Sequence, residues 1–336
     1  IDQIMIYNKA LSANQIYAMY RDGNVSTVSN ITTDQDLGAS TRNQTDENND
    51  EIKNIFNWYK NESSISVLNM PFEGGSNTTW TRDYSPYGNN GTVYSATHNS
   101  TGGVDGKGAY EFDGINLNTY LTVPYDSSID LSSQDMSISL WYKRKGNSNA
   151  TWPTLTTLMS QGRAALSGTG ANQGWSMSVY RATHSIRWDR SNSTKGSGWE
   201  VGSSNDNEWN HVVLTRVNSA CTDSVYLNGV YIGSNSDICG DIFDTNDVWI
   251  GRSEYSTGTF NGTIDEVHIY NRTLSPEQIL ALYNLEHNRI VSNETKINET
   301  WKCCITPNDG TSDGTTNCTN NVTITDGTPT TPVLLI

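Results

Sequence analysis

Apolar and polar residues alternate along most of this chain in runs too short to be anything but strands. "SISLWYKRK" (137–145) and "NHVVLTRV" (210–217) put every second residue on one face, the period-two signature of a β-strand. "YLTVPY" (120–125), "WSMSVYR" (175–181), "HSIRWDR" (184–190), "SVYLNGVYIG" (224–233) and "DVWIGRS" (247–253) read the same way, between Gly, Asn, Ser and Asp turns. Many short, evenly spaced strands predict a β-sandwich. The large residues Trp141, Trp175, Trp188, Trp209 and Trp249 fall on these strands, and core packing is their default role. Two stretches break the pattern. "LSPEQILALYN" has Ser275 at an N-cap, Pro276 at the first helical position and Gln278 three residues after the cap, a capping box with a proline start. "LSANQIYAMY" repeats it with Ser12 and Gln15, and residues 1–20 match 264–283 at eleven of twenty positions without a gap. Each copy predicts a strand, a tight turn and a short capped helix.

Charge narrows the partners. The 336 residues carry a net charge of −15 with 17% charged residues. The few basic residues are scattered, which argues against a phosphate backbone and against anionic membrane surfaces. No run of eighteen apolar residues occurs, so no helical membrane span is predicted. The first residues form a strand pattern, not a secretory leader.

Asn-x-Ser/Thr triplets indicate the compartment. They occur at Asn24, Asn30, Asn43, Asn61, Asn77, Asn90, Asn99, Asn149, Asn192, Asn261, Asn271, Asn293, Asn298, Asn317 and Asn321. This density predicts a secreted, N-glycosylated chain with these asparagines on its surface. Five cysteines agree with an oxidising setting. Cys221 and Cys239 flank a strand, an Asn-Gly turn and a strand, so a bridge closing that hairpin is expected. Around "PNDGTSDG", Trp301, Cys303 and Ile305 share one face, and Cys318 keeps the parity of Val322 and Ile324. That parity pairs Cys303 with Cys318 and leaves Cys304 over. No Cys/His spacing suits zinc.

The segments "SVLNMPFEGG", "DYSPYGNNGT", "GKGAYEFDG", "LTVPYDSSIDLSSQDMSISLWYK", "NEWNHVVLTR", "VYLNGVYIG" and "GTIDEVHIYNRTLSPEQILALY" occur in that order from about Ser66 to Tyr283. Together they resemble the laminin-G-like, concanavalin A-like jelly roll of many secreted proteins. The resemblance implies two antiparallel sheets packed face to face, with the first and last strands adjacent. "TDENNDEIKNIFNWYKNESSI" (45–65) and "IVSNETKINETWKCCITPNDGTSDGTTNCTNNVTI" (290–324) resemble the two halves of a prokaryotic Ig-like repeat. The expected fold is all-β, a jelly roll at 67–285 inserted into a split Ig-like sandwich at 28–66 plus 287–325. Residues 1–20 read as the last strand and helix of a preceding jelly roll, or as a donated strand; 326–336 reads as a linker to a next module. Such an array, with dense sequons, resembles an archaeal surface protein.

Candidate chemistry is sparse. Glu111 and Asp113 lie on one strand without the second Glu that the fold's glucanases require. His98, His184, His211, His268 and His287 form no His-x-x-x-His pair, and His211 and His268 read as structural residues on strands. The chain is therefore expected not to be an enzyme. From the family, a structural calcium ion is expected to pin the first and last strands. Its candidate ligands are Glu73, Asp265 and carbonyls near Gly108, with Asp83 and Asn89 as further candidates. Tyr84, Tyr87, Trp152 and Trp199 lie in turn-rich segments and either stack on sugar rings or pack under loops. The expected function is a non-enzymatic extracellular structural module of a cell-surface fibre, sheath or filament, the alternative a calcium-dependent carbohydrate-binding adhesin. The expected partners are copies of itself or neighbouring repeats, covalent N-glycans and extracellular polysaccharide, with no nucleic acid.

Overall fold

The computed structural model describes residues 4–7, 30–41, 46, 50–115, 117–130, 134–145, 155–162, 173–192, 194–240, 242, 245–253 and 258–326; of residues 4–7 and 30 it describes only the backbone. The helix expected in 12–20, Asn24, Asn43, Asn149, Trp152 and the linker after 326 lie outside the described residues. The chain divides into two compact units, one of residues 66–274 with 310–312, the other of 1–65, 275–309 and 313–336.

The larger unit is a sandwich of two eight-stranded sheets. The first sheet runs Val230–Asn235, Thr222–Leu227, Trp209–Val217, Met136–Arg144, Asn261–Tyr270, Ala109–Asp113 and Thr97–Asn99, with Ser66–Met70 also paired to Asn261–Tyr270. The second runs Gly196–Val201, Ile186–Ser191, Gly174–Tyr180, Leu155–Gly162, Val248–Ile250, Tyr120–Val123, Gly91–Tyr94 and Trp80–Thr81. First and last strands are adjacent, as the resemblance implies: Met70 faces Val267 and Ser66 faces Tyr270. Ile138, Leu140 and Tyr142 from one sheet and Met159, Trp175, Met177 and Trp188 from the other fill the interior. Alternation puts Trp141 on the opposite face from Leu140 and Tyr142. There it stacks on His211 at 5.0 Å, and His211 Nε2 lies 2.9 Å from Ser139 Oγ. Of the five tryptophans assigned to the core, only Trp175 and Trp188 belong to the cluster between the sheets.

A cluster of opposite charges is enclosed in this sandwich. Asp223 has no exposed surface and meets Arg190 at 2.7 Å, Arg216 at 2.9 Å and the Trp188 indole N–H at 3.0 Å. Arg216 also donates to the carbonyls of Ile238 and Gly240, beside the expected Cys221–Cys239 bridge, which is present.

The smaller unit draws its strands from both sides of the larger one in sequence. Lys53–Lys60 pairs antiparallel along its length with Thr300–Asn308, and Asn30–Thr32 runs parallel to Val322–Thr325. Trp58 and Trp301 belong to this one unit, both buried. A three-stranded sheet joins Ile4–Tyr7, Leu37–Thr41 and Arg289–Ile290. The helix Pro276–Tyr283 starts as predicted, with Ser275 Oγ accepting from the Gln278 N–H. The second half of the capping box is not made. The Gln278 side chain instead donates to the Arg289 carbonyl and accepts from the Val291 N–H, which ties the helix to the smaller compact unit.

The expected Cys303–Cys318 bridge is corrected: Cys304 bonds Cys318, and Cys303 is a buried thiol. Cys303 sits opposite Trp58 on the inward face of its strand, with Trp301 and Ile305. Cys304 points the other way, directly opposite Cys318 in the short strand Asn317–Cys318. Residues 319–321 separate that strand from Val322–Thr325, so parity does not carry across.

Iodoacetamide should leave the native chain unlabelled and modify a single thiol after unfolding, which peptide mass spectrometry assigns to Cys303. Asp223→Ala strands two buried guanidinium groups and should lower the unfolding free energy by about 3–5 kcal/mol, measured by denaturant titration.

Candidate metal centre

The first strand of the larger unit runs on into Phe72, whose φ of +58° turns the chain sharply for a bulky residue. Its carbonyl oxygen lies 2.8 Å from His98 Nε2, and a side chain at Gly108 would lie 2.0 Å from the same oxygen. Only glycine fits at 108, and its N–H donates to the Glu73 carboxylate at 3.3 Å.

The last strand supplies the other wall through a bulge. Its register against Met136–Arg144 steps between the pairs Ser139–His268 and Trp141–Asp265, and Glu266 at the step has φ +50°. A bulge re-aims side chains, and here it brings two consecutive acids into play. Asp265 accepts from the Val104 N–H at 2.9 Å and from the Glu266 N–H at 2.8 Å. Glu266 lies 3.0 Å from His268 Nε2. Carboxylate oxygens of Glu73, Asp105 and Glu266 lie within 4.8 Å of one another. Glu73, Asp265 and Glu266 are buried, Asp105 exposed.

The loop 103–108 closes the cluster. A Cβ on Gly103 would stand 2.7 Å from Asp265 Oδ2, 2.7 Å from the Gly108 carbonyl and 3.0 Å from the Lys107 carbonyl, so glycine leaves a cradle of oxygens open. Burying carboxylates costs several kcal/mol each unless opposite charge compensates. Anionic and carbonyl oxygens are the donors that calcium takes and softer metals do not. The residues present fit a hard divalent cation.

Of the expected ligands, Glu73 stands in the carboxylate cluster with Asp105 and Glu266, Asp265 and the Gly108 carbonyl face the Gly103 cradle, and the Gly108 N–H links the two. Glu266 was missed because a bulge is not legible in alternation, and Asp105 because it lies in the 103–108 loop, which only the fold brings to the last strand. Asp83 and Asn89 lie elsewhere. The Asp83 carboxylate accepts from the N–H groups of Asn69, Ser85 and Asn89 and from the Ser85 hydroxyl. Burial pushes its carboxyl up, against the pull of those four bonds. Asn89 donates to the Val67 carbonyl and to Ser128. The pair stitches the 83–90 loop to the first strand.

Tyr84 carries the Arg82 guanidinium over its ring at 4.9 Å, Tyr87 is 45% exposed, and Trp199 packs on the hydrophobic core. The rings that do stand together are Tyr94, Tyr120 and Trp249, with centroids 4.6 and 4.5 Å apart. Cross-strand pairing sets them, which local composition does not reveal. Glu111 is bound by Asn99 at 2.7 Å and Lys145 at 2.9 Å, which hold its carboxyl below the usual range. The Asp113 carboxylate accepts the Ile115 N–H at 3.0 Å and so orders the turn.

The sequon asparagines Asn61, Asn77, Asn90, Asn99, Asn192, Asn261, Asn271, Asn293, Asn298, Asn317 and Asn321 are all exposed or half-buried. The Asn30 side chain lies outside the described residues.

These features sit on a scaffold with known relatives. The chain belongs to the concanavalin A-like lectin/glucanase superfamily, whose description matches residues 112–280, half of the chain. Among solved structures it is similar to the binding domain of botulinum neurotoxin serotype G, with TM-score 0.52 and 19% identity over 66% of this chain and 51% of that one. It is likewise similar to the binding domain of Paraclostridial Mosquitocidal Protein 1, with TM-score 0.53 and 20% identity over 66% of this chain and 52% of that one. The chain thus spans about half the length of these structures, and the likeness is one of fold. A search of curated proteins gave no match.

Calcium at millimolar concentration should raise the unfolding temperature and EDTA lower it, by about 2–4 °C for each kcal/mol of binding free energy. Gly103→Ala, which pushes a methyl into the cradle, should abolish the calcium-dependent increment in a thermal melt.

Proposed function

We propose that this chain is an extracellular, N-glycosylated, non-enzymatic structural module of a cell-surface fibre, sheath or filament. The observation that carries this reading is the placement of the sequons: eleven asparagines whose surroundings are described, and none buried. Asparagine favours the surface in any case, and here that preference leaves every described sequon open to modification. Two disulfides fit an oxidising compartment, and no described helix is long and apolar enough to cross a membrane. The split smaller unit fits an Ig-like module hosting the jelly roll, and the repeat of 264–283 in residues 1–20 fits an array of such modules, contacting copies of itself or neighbouring repeats, of archaeal origin.

The carboxylate cluster of Glu73, Asp105 and Glu266, with Asp265 on the neighbouring Gly103 cradle, favours a second reading, a calcium-dependent adhesin for extracellular polysaccharide. In it the ion fixes the first and last strands of the jelly roll, and the binding residues come from its loops or faces. A glycan array with and without EDTA separates the two: specific, calcium-dependent retention supports the adhesin.

Glycopeptide mass spectrometry of native material tests the primary reading. Occupancy should be highest at Asn61, Asn77 and Asn90, whose amide nitrogens donate no hydrogen bond among the described residues. It should be lower where Nδ2 is engaged, as in Asn99 to Glu111, Asn192 to Cys239, Asn261 to Lys145, Asn317 to Thr315 and Asn321 to Glu62. A wholly unmodified native chain would refute the reading.

A further inference from the structure

An aromatic ladder stands on the outer face of the second sheet, and it ends in the open beside a sequon. Trp80, Thr92, Thr122 and Trp249 are successive cross-strand partners, and Tyr94 pairs with Tyr120 one step along. Directly opposed residues share a face, so all six lie on one side. Tyr120 is stacked between Tyr94 and Trp249, and the Arg252 guanidinium lies 5.4 Å from the Tyr120 ring and 5.6 Å from the Trp249 ring. The ladder is therefore closed over Tyr120. Its accessible rings are Trp80, 39% exposed, and Tyr94, 42% exposed.

Trp80 ends a tight turn that begins at Asn77, in the sequon Asn77-Thr78-Thr79. The Asn77 N–H donates to the Trp80 carbonyl at 2.9 Å. Asn77 Oδ1 accepts from the Thr79 N–H at 2.8 Å, the Thr79 hydroxyl at 2.7 Å and the Trp80 N–H at 3.1 Å. From below, the buried Tyr110 hydroxyl lies 2.7 Å from the Asn77 carbonyl and 3.1 Å from the Trp80 carbonyl. Burial pushes that phenol up to about 12, so it stays a donor. The Thr79 carbonyl accepts from Val93, which ties the turn to the strand bearing Tyr94. The Asn77 side-chain oxygen is thus committed to holding the turn, and its exposed Nδ2 is the group left over.

We propose that the glycan on Asn77 folds back onto Trp80 and Tyr94, so that the chain's own first sugar residues cover the open end of the ladder. This rests on the glycosylated reading above. A pyranose presents a face of C–H groups that packs on an indole, removing apolar surface from water. The covalent tether supplies that sugar at an effective concentration in the millimolar range or above, ahead of any free polysaccharide competing for the same rings. The fixed turn means little is lost in ordering the attachment point.

The test uses the full chain from a host that adds N-glycans. Glycopeptide mass spectrometry first establishes whether Asn77 is occupied. Unfolding temperatures are then compared before and after enzymatic deglycosylation for wild type, Asn77→Gln, Trp80→Ala and Trp80→Phe. Carrying the Asn77 glycan should raise the unfolding temperature by about 2–4 °C in wild type. That share of the total deglycosylation increment should be lost in Asn77→Gln and Trp80→Ala and largely survive in Trp80→Phe, the share of the other glycans being common to all four. The deglycosylated variants check that each still folds. An occupied Asn77 with an undiminished increment in Trp80→Ala overturns the packing while leaving glycosylation intact. An unoccupied Asn77 overturns the proposal at its premise, with occupancy elsewhere still deciding the broader reading. Trp80-dependent binding of a soluble polysaccharide by the fully glycosylated chain would show the ladder to be open to outside ligands, and would also overturn it.

Discussion

The hydrogen bonding of one strand, Asn261–Tyr270, sets the conditions for the rest of the molecule. It pairs along one side with Met136–Arg144 and along the other with Ala109–Asp113 and then Ser66–Met70. A ten-residue strand with three partners cannot slip by one position without turning Ile264, Val267 and Ile269 out of the core. Because its last residues lie beside the first strand, the polypeptide leaves the larger unit next to where it entered. That closure lets Lys53–Lys60 and Thr300–Asn308 pair, although more than two hundred residues separate them. Domains whose ends lie together are the ones that tolerate insertion.

The same strand builds the oxygen cluster. Its bulge at Glu266 interrupts the regular register, and the neighbouring Asp265 is tied to the 103–108 loop through Val104. A perfectly regular strand would send two consecutive side chains to opposite faces. Breaking the rule at one residue is what gathers acids from separate loops and strands.

Alternation and turn chemistry made most of the strands legible, along with the helix start at Ser275 and the Cys221–Cys239 hairpin bridge, because each depends on neighbours within a few residues. Besides the bulge at Glu266, three features escaped that local reading for want of a partner far away in sequence. Trp141 alternates correctly, yet both faces of its strand are buried, so period two could not say which face was the core. Cys318 was assigned by the parity of Val322 and Ile324, but it belongs to a different short strand. Tyr94, Tyr120 and Trp249 sit on three strands far apart in sequence, and only their pairing and register make them a ladder. Glu73, Gly108 and Asp265 were placed together through family resemblance; local pattern alone would have left them as three unrelated turn residues.

The pairing of Lys53–Lys60 with Thr300–Asn308 has a consequence for biogenesis. On the ribosome the earlier strand emerges long before its complement, and the whole larger unit is made in between. The larger unit contains both members of each strand pair described in it, so it can close while Lys53–Lys60 still lacks its partner. Once formed, it holds the strands at its own two ends side by side, which shortens the chain to be closed between Lys53–Lys60 and Thr300–Asn308 and so reduces the loop-closure cost of joining them. Pairing in the smaller unit thus depends on closure of a stretch of chain that does not belong to it.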